Sequence, residues 1–222
     1  MIESEQAYLI HQYPIRDHLL LVYILTPTRY FKGFYRMPKK KSLVQKPFSF
    51  CPYWSAWKKN KQAINVQSLE FSATPWMPKG LKLIVGLYLN ELIYHLCGGF
   101  DEQVELSIYS LYEAILQHSE DCPLHLIREF EWQLLADCGY AIDFTRAIDN
   151  TPLQENVYYN FSPDSGFFVA HEGWLGAEIQ NQHQNSAIVK YVLRKTIDYV
   201  LDGKILQSRA LLMEWLQQSN SK

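Results

Sequence analysis

Up to residue 79, turn residues break up short apolar runs and alternating apolar–polar blocks. Beyond residue 80 apolar positions recur every three to four residues, loosening over 140–184. The first pattern predicts strands at Ala7–His11, Leu19–Leu25, Arg29–Tyr35, Pro47–Trp57 and Ile64–Phe71. Turn signals separate them at Tyr13-Pro14, Thr26-Pro27, Met37–Lys46 and Lys58–Lys61. Five short strands with no helix between them predict a small β-barrel, and an OB-fold is one such barrel. The second pattern predicts helices over Leu81–Leu96, Glu102–Gln117, Leu124–Cys138 and Asn185–Leu201. A last helix is expected to be capped by Ser208 and to run through Leu216. Tyr158–Phe161 and Gly166–Ala170 suit a small hairpin. The expected fold is therefore α+β in two domains: a barrel over 1–79, then a mostly helical domain with a β-hairpin insertion over 80–222.

Charge separates the same two parts. Residues 1–79 hold 12 Lys and Arg against 4 Asp and Glu; residues 80–222 hold 9 against 19. The net is +8 for the head and −10 for the body, which the whole-chain value of −2 conceals. A basic head points to a polyanion and an acidic body to some other partner. No apolar run reaches the ~20 residues of a membrane span, and the amino-terminal residues are acidic where a signal peptide is basic. A cytoplasmic, nucleoid-associated location is expected.

Within the head, Arg29, Lys32, Arg36, Lys39, Lys40, Lys41 and Lys46 are interleaved at one end with Tyr30, Phe31, Phe34 and Tyr35. Lysine and arginine neutralise phosphates and release counterions, while aromatic faces stack on unpaired bases. Lys58, Lys59 and Lys61 extend the basic segment. The candidate nucleic-acid contacts are these ten cations together with Tyr30 and Phe34. Lys39–Lys41 also suits an ordinary solvated loop, and half the aromatics must fill a barrel core.

Motifs for covalent chemistry are missing. No phosphate-binding glycine loop, nucleophile elbow or zinc-protease signature occurs. Glu129 and Glu131 lie two residues apart, on different faces of a helix. Cys51, Cys97, Cys122 and Cys138 are scattered without metal spacing. No metal, cofactor or catalytic residue is expected.

Four segments carry a family resemblance. They are 33-GFYRMPKKKSLVQKPFSF-50, 86-GLYLNELIYHL-96, 127-IREFEWQLLADCGY-140 and 203-GKILQSRALL-212. In this order the chain resembles, over nearly its full length, the RecO family of bacterial recombination mediators. The resemblance implies an OB-fold followed by a helical domain. It also implies binding of single- and double-stranded DNA, ATP-independent strand annealing, and docking on the acidic carboxy-terminal tail of single-stranded DNA-binding protein. With RecR, such proteins help load the RecA recombinase. Some members carry a cysteine-ligated zinc after the Gly-Tyr pair, but 139-GYAIDFTRAIDN-150 has no cysteine, so that site is expected to be absent. By resemblance, Arg128 receives the partner's tail. It is the only Lys or Arg between Lys82 and Arg146, and an acidic tail needs a cation beside an apolar groove. A simple intrahelical pair with Glu131 is the competing reading. Lys204 and Arg209 match a motif without a chemical role, beyond a place near helix ends. Two other functions remain open: a general DNA- or RNA-binding module, and a hydrolase that assembles a carboxylate–histidine cluster within Tyr140–Gln184.

Overall fold

Alternating burial produces the strands of the head, and the computed structural model describes residues 2–38, 46–60, 63–74, 77–97, 104–181 and 186–219. In chain order the elements are β1 (Glu3–Arg16), β2 (Leu19–Leu25), β3 (Arg29–Arg36), β4 (Pro52–Lys59), β5 (Ile64–Phe71), α1 (Gly80–Cys97), β6 (Val104–Glu105) and α2 (Tyr109–Gln117). They continue as α3 (Leu124–Asp137), β7 (Tyr158–Ser162), β8 (Gly166–Val169), β9 (Trp174–Leu175), α4 (Gly176–Gln180), α5 (Ala187–Leu201) and α6 (Gln207–Ser219).

The strand β1 is longer than its apolar segment. Register shifts at Leu9/His11 and Pro14/Arg16 bend it, so its first half pairs with β4 and its second half with β2. Such bulges increase local twist and help a small sheet curl. β2 pairs with β3, β3 runs parallel to β5, and β5 pairs with β4, which returns to β1. This 1-2-3-5-4-1 ring is a closed OB-type barrel. Leu9, Val22, Ile24, Phe31, Tyr53 and Trp57 are among the residues that fill it. At the parallel junction a Cβ on Gly33 would lie 3.1 Å from both the Ile64 carbonyl oxygen and a Val66 methyl, so glycine permits the close approach.

Two predicted boundaries shift for identifiable reasons. The fourth strand starts at Pro52 rather than Pro47. Phe48 is tied instead to the Tyr53 hydroxyl, which accepts from its N–H and donates to its carbonyl, both at 3.0 Å. Phe50 then takes a positive φ of 74°. The second helix begins at Tyr109, not at Glu102, because Val104 and Glu105 pair with Tyr30 and Arg29 as a short sixth strand.

Packing divides the chain into a first unit, residues 1–122 with 206–222, and a second unit, residues 123–205. In the first, α1 lies against β1 and α6 against α1. The Asn90 side chain donates to the Ile10 carbonyl at 3.0 Å and accepts from the Tyr112 hydroxyl at 2.7 Å, joining barrel, α1 and α2. Gly86 is buried, and a Cβ there would approach the Phe50 ring to 2.8 Å. The amino end of α6 is capped from α1. The Glu91 carboxylate accepts the Gln207 and Ser208 N–H groups at 2.9 Å and also the Ser208 hydroxyl. Ser208 therefore sits inside the first turn and does not cap the helix itself.

The second unit packs α3 and α5 with a three-stranded sheet in the order β8-β7-β9. Ser186 caps α5 by accepting the Val189 N–H at 3.1 Å, and Asp202 ends it in the left-handed region at φ 48°. Gly139, at φ 87°, follows α3. The hairpin β7–β8 spans nearly the residues predicted. The added strand β9 was hidden because two residues, Trp174 and Leu175, carry no readable alternation.

Candidate nucleic-acid interface and docking residue

Strand alternation sorts the basic and aromatic residues of β3 between two sides of the barrel wall. Phe31, Gly33 and Tyr35 face inward, while Lys32, Phe34 and Arg36 occupy outward positions. Cross-strand register extends this set. Lys58 of β4 is partnered with Asn65 of β5, Asn65 with Phe34, and Phe34 with Leu21 of β2. One outer row therefore runs Lys58–Asn65–Phe34–Leu21, with Lys32 and Arg36 flanking Phe34 along β3. Phe34 is 37% exposed, and Arg36, Lys46, Lys58 and Lys59 are exposed. A basic row with an open aromatic face has the chemistry to meet phosphates and an unpaired base.

Other candidates are placed differently. Tyr30 has an outward register position but is only 2% exposed, leaving its ring no face to offer a base. Its hydroxyl is buried without a hydrogen-bond partner among the described residues, and burial pushes its pKa far above the usual tyrosine value. Arg29 donates to Glu3 at 3.2 Å and is partnered across strands with Glu105, so much of its charge is matched locally. Lys32 is half-buried opposite Tyr23. Lys39, Lys40, Lys41 and Lys61 lie outside the described residues.

Behind Tyr30, His11, Tyr13, Tyr23 and Tyr94 form an aromatic cluster. The His11 ring lies 4.4 Å from Tyr13 and 4.5 Å from Tyr94, centroid to centroid. Burial, then the neighbouring His95, lowers the His11 pKa. A hydrogen bond with Tyr94 raises that of Tyr13 to about 12.

In the second unit, Arg128 on α3 forms an ion pair with Glu131, which is 1% exposed; the arginine side chain is 18% exposed. Leu124, one turn earlier, is 54% exposed. The same unit holds a cleft of about 560 Å³ lined by Tyr140, Asp143, Arg146, Phe161, Asp164, Tyr199 and neighbouring residues. The Asp143 and Asp164 pKa values are lowered, chiefly by hydrogen bonds from Thr145 and Ser162. Among the described residues its lining includes no histidine.

Sequence reasoning overlooked Trp54. It is 51% exposed and shares the outward side of β4 with Lys58. The in–out sequence Tyr53, Trp54, Ser55, Ala56, Trp57, Lys58 contains the signal, but an aromatic-rich run conceals which tryptophan fills the core.

The architecture is that of an OB-barrel protein with a helical body. A family model described as "Recombination protein O C terminal" matches residues 77–214. The chain is 28% identical over 188 residues to a protein named DNA repair protein RecO from Legionella pneumophila (strain Corby), spanning 79% of this chain and 81% of that one. It is also 28% identical over 224 residues to a protein of the same name from Pseudomonas aeruginosa (strain LESB58), spanning 95% and 94% of the two chains. The chain belongs to the RecO family.

Proposed function

We propose that the protein is a DNA-repair and recombination mediator that works by binding and positioning strands, without covalent catalysis. The barrel binds single- and double-stranded DNA and brings complementary strands together. The second unit docks on the carboxy-terminal tail of single-stranded DNA-binding protein through Arg128. In concert with RecR, the protein promotes loading of RecA.

The observation that carries this reading is the outer row Lys58–Asn65–Phe34, flanked by Lys32 and Arg36. Its cations attract backbones of any sequence, and Phe34 provides a stacking face that does not discriminate among bases. Such a surface suits annealing, in which the strands themselves supply specificity. Lys39, Lys40 and Lys41 add charge on the segment that follows β3 in sequence. Docking rests on family resemblance and on Arg128 as an isolated cation in an acidic stretch. Its pairing with Glu131 leaves the guanidinium further donors, since an arginine carries five N–H groups.

Annealing of complementary strands coated with single-stranded DNA-binding protein tests the combined role. The wild-type protein is expected to accelerate it, whereas Arg128→Ala slows annealing of coated strands and leaves naked strands unaffected. Failure of the wild type on both kinds of strand would refute the mediator reading. Equal performance of Arg128→Ala on coated strands would refute the docking assignment.

A further inference from the structure

We propose that Trp54 is a base-stacking platform for single-stranded nucleic acid, and that Glu70 beside it favours bases carrying an amino group. The inference rests on the proposed single-strand binding by the barrel and assigns a second contact region to it.

The indole stands on the outward side of a paired strand and is 51% exposed. Its cross-strand partners are Gln6 of β1 and Glu70 of β5. Two positions along, Ala56 is partnered with Ser4 and Ser68, all small residues. Lys58 follows, partnered with Asn65, and Asn65 leads to Phe34. The barrel wall thus carries a cation, a low floor and an aromatic face in sequence along about 14 Å of strand. A phosphate at Lys58 and a base on Trp54 use that order.

The surroundings distinguish a base from a protein partner. Protein interfaces usually centre on contiguous apolar surface. Trp54 is instead flanked by glutamine and glutamate, with serine and alanine beyond. Directly opposed side chains in a sheet have Cβ atoms about 5 Å apart, within reach of the edge of a base stacked on the indole. An ionised carboxylate only accepts hydrogen bonds. Cytosine N4, adenine N6 and guanine N1 and N2 can donate to it, whereas the one donor of thymine, N3–H, sits between the O2 and O4 acceptors, whose lone pairs repel a carboxylate. Gln6 accepts or donates and imposes no such choice.

Fluorescently labelled homopolymers of deoxycytidine and deoxythymidine, titrated across a salt series, test the proposal with the intact protein. Trp54→Ala is expected to weaken deoxycytidine binding about ten-fold, as expected for loss of one base–aromatic stack. Its salt slope should stay unchanged, because stacking releases no counterions. Trp54→Phe should retain most of the affinity, which separates a lost stacking face from a damaged barrel. Glu70→Ala should bring the deoxycytidine-to-deoxythymidine affinity ratio toward one, even if loss of a negative charge raises both affinities. Unchanged deoxycytidine binding by Trp54→Ala would overturn the platform. An unchanged ratio in Glu70→Ala would overturn the amino preference. If the wild type binds neither oligomer, the single-strand reading itself fails and the inference fails with it.

Discussion

Arg128 and Glu131 form an ion pair one turn apart on α3, and the carboxylate is almost wholly withdrawn from water. Removing the arginine leaves that carboxylate buried without this partner. Arg128→Ala should therefore lower stability by about 3 kcal/mol, the low end of the range for removing one partner of a buried ion pair, since the arginine itself is 18% exposed. The loss complicates a simple docking mutant. Arg128→Ala combined with Glu131→Gln separates the effects: thermal unfolding should recover toward wild type, while affinity for the partner-tail peptide stays low. Recovery of peptide binding in the double variant would show that Arg128 only holds the helix together.

Charge on the outer barrel row should be visible in salt dependence. Replacing Lys58 and Arg36 by glutamine should reduce the slope of log affinity against log salt by about 0.7 for each single-strand phosphate no longer neutralised. Phe34→Ala should weaken binding with little change in slope. Fluorescence anisotropy over several salt concentrations distinguishes these outcomes. Equal slopes for wild type and the charge variant would reduce the row to solvated surface.

Asn90 supplies a stability prediction independent of DNA. Its side chain serves the Ile10 carbonyl and Tyr112 hydroxyl together. Asn90→Ala leaves both without that partner and should cost about 2–6 kcal/mol, at roughly 1–3 kcal/mol for each unsatisfied group. Tyr112→Phe leaves only the Asn90 Oδ1 acceptor without its donor and should cost less, about 1–3 kcal/mol. Denaturant titration should preserve that order.

His11 predicts a direction with pH. Its folded-state pKa lies below the ordinary 6.5, with burial the larger cause and His95 the smaller. Between the folded value and 6.5, the unfolded chain binds the proton more readily. Stability is thus fully present above pH 6.5 and declines as pH falls through the folded pKa. His11→Phe should flatten this part of the profile. Asp143, Asp149 and Asp164 have lowered pKa values and act in a separate window below 3.8.

Much of the fold is legible because its determinants are local. Alternation locates β3 and β5, a short unbroken β-rich apolar run locates β2, and helical spacing locates α1, α3 and α5. The full length of β1 is less legible, because Glu3–Gln6 is polar and Tyr13-Pro14 reads as a turn, yet Glu3–Gln6 pairs with β4 and Tyr13-Pro14 with Leu21 and Leu20 of β2. The cap on α6 is invisible in local sequence, since Glu91 and Ser208 are separated by 117 residues. Basic residues can be found in the chain without their geometry. Only register shows that Lys58 joins Phe34 on one outer row, and that Tyr30 is enclosed although it occupies the same strand.

The Glu91–Ser208 connection also orders events during synthesis. Residues 123–205 leave the ribosome before α6 does, although α6 belongs with the barrel. The second unit therefore has all its own residues available while the earlier-made first unit still awaits its final helix. During that interval Glu91 has no α6 amino terminus to cap, and the α1 surface that α6 covers must remain soluble. Completion of the first unit is consequently timed by translation of the segment inserted into it.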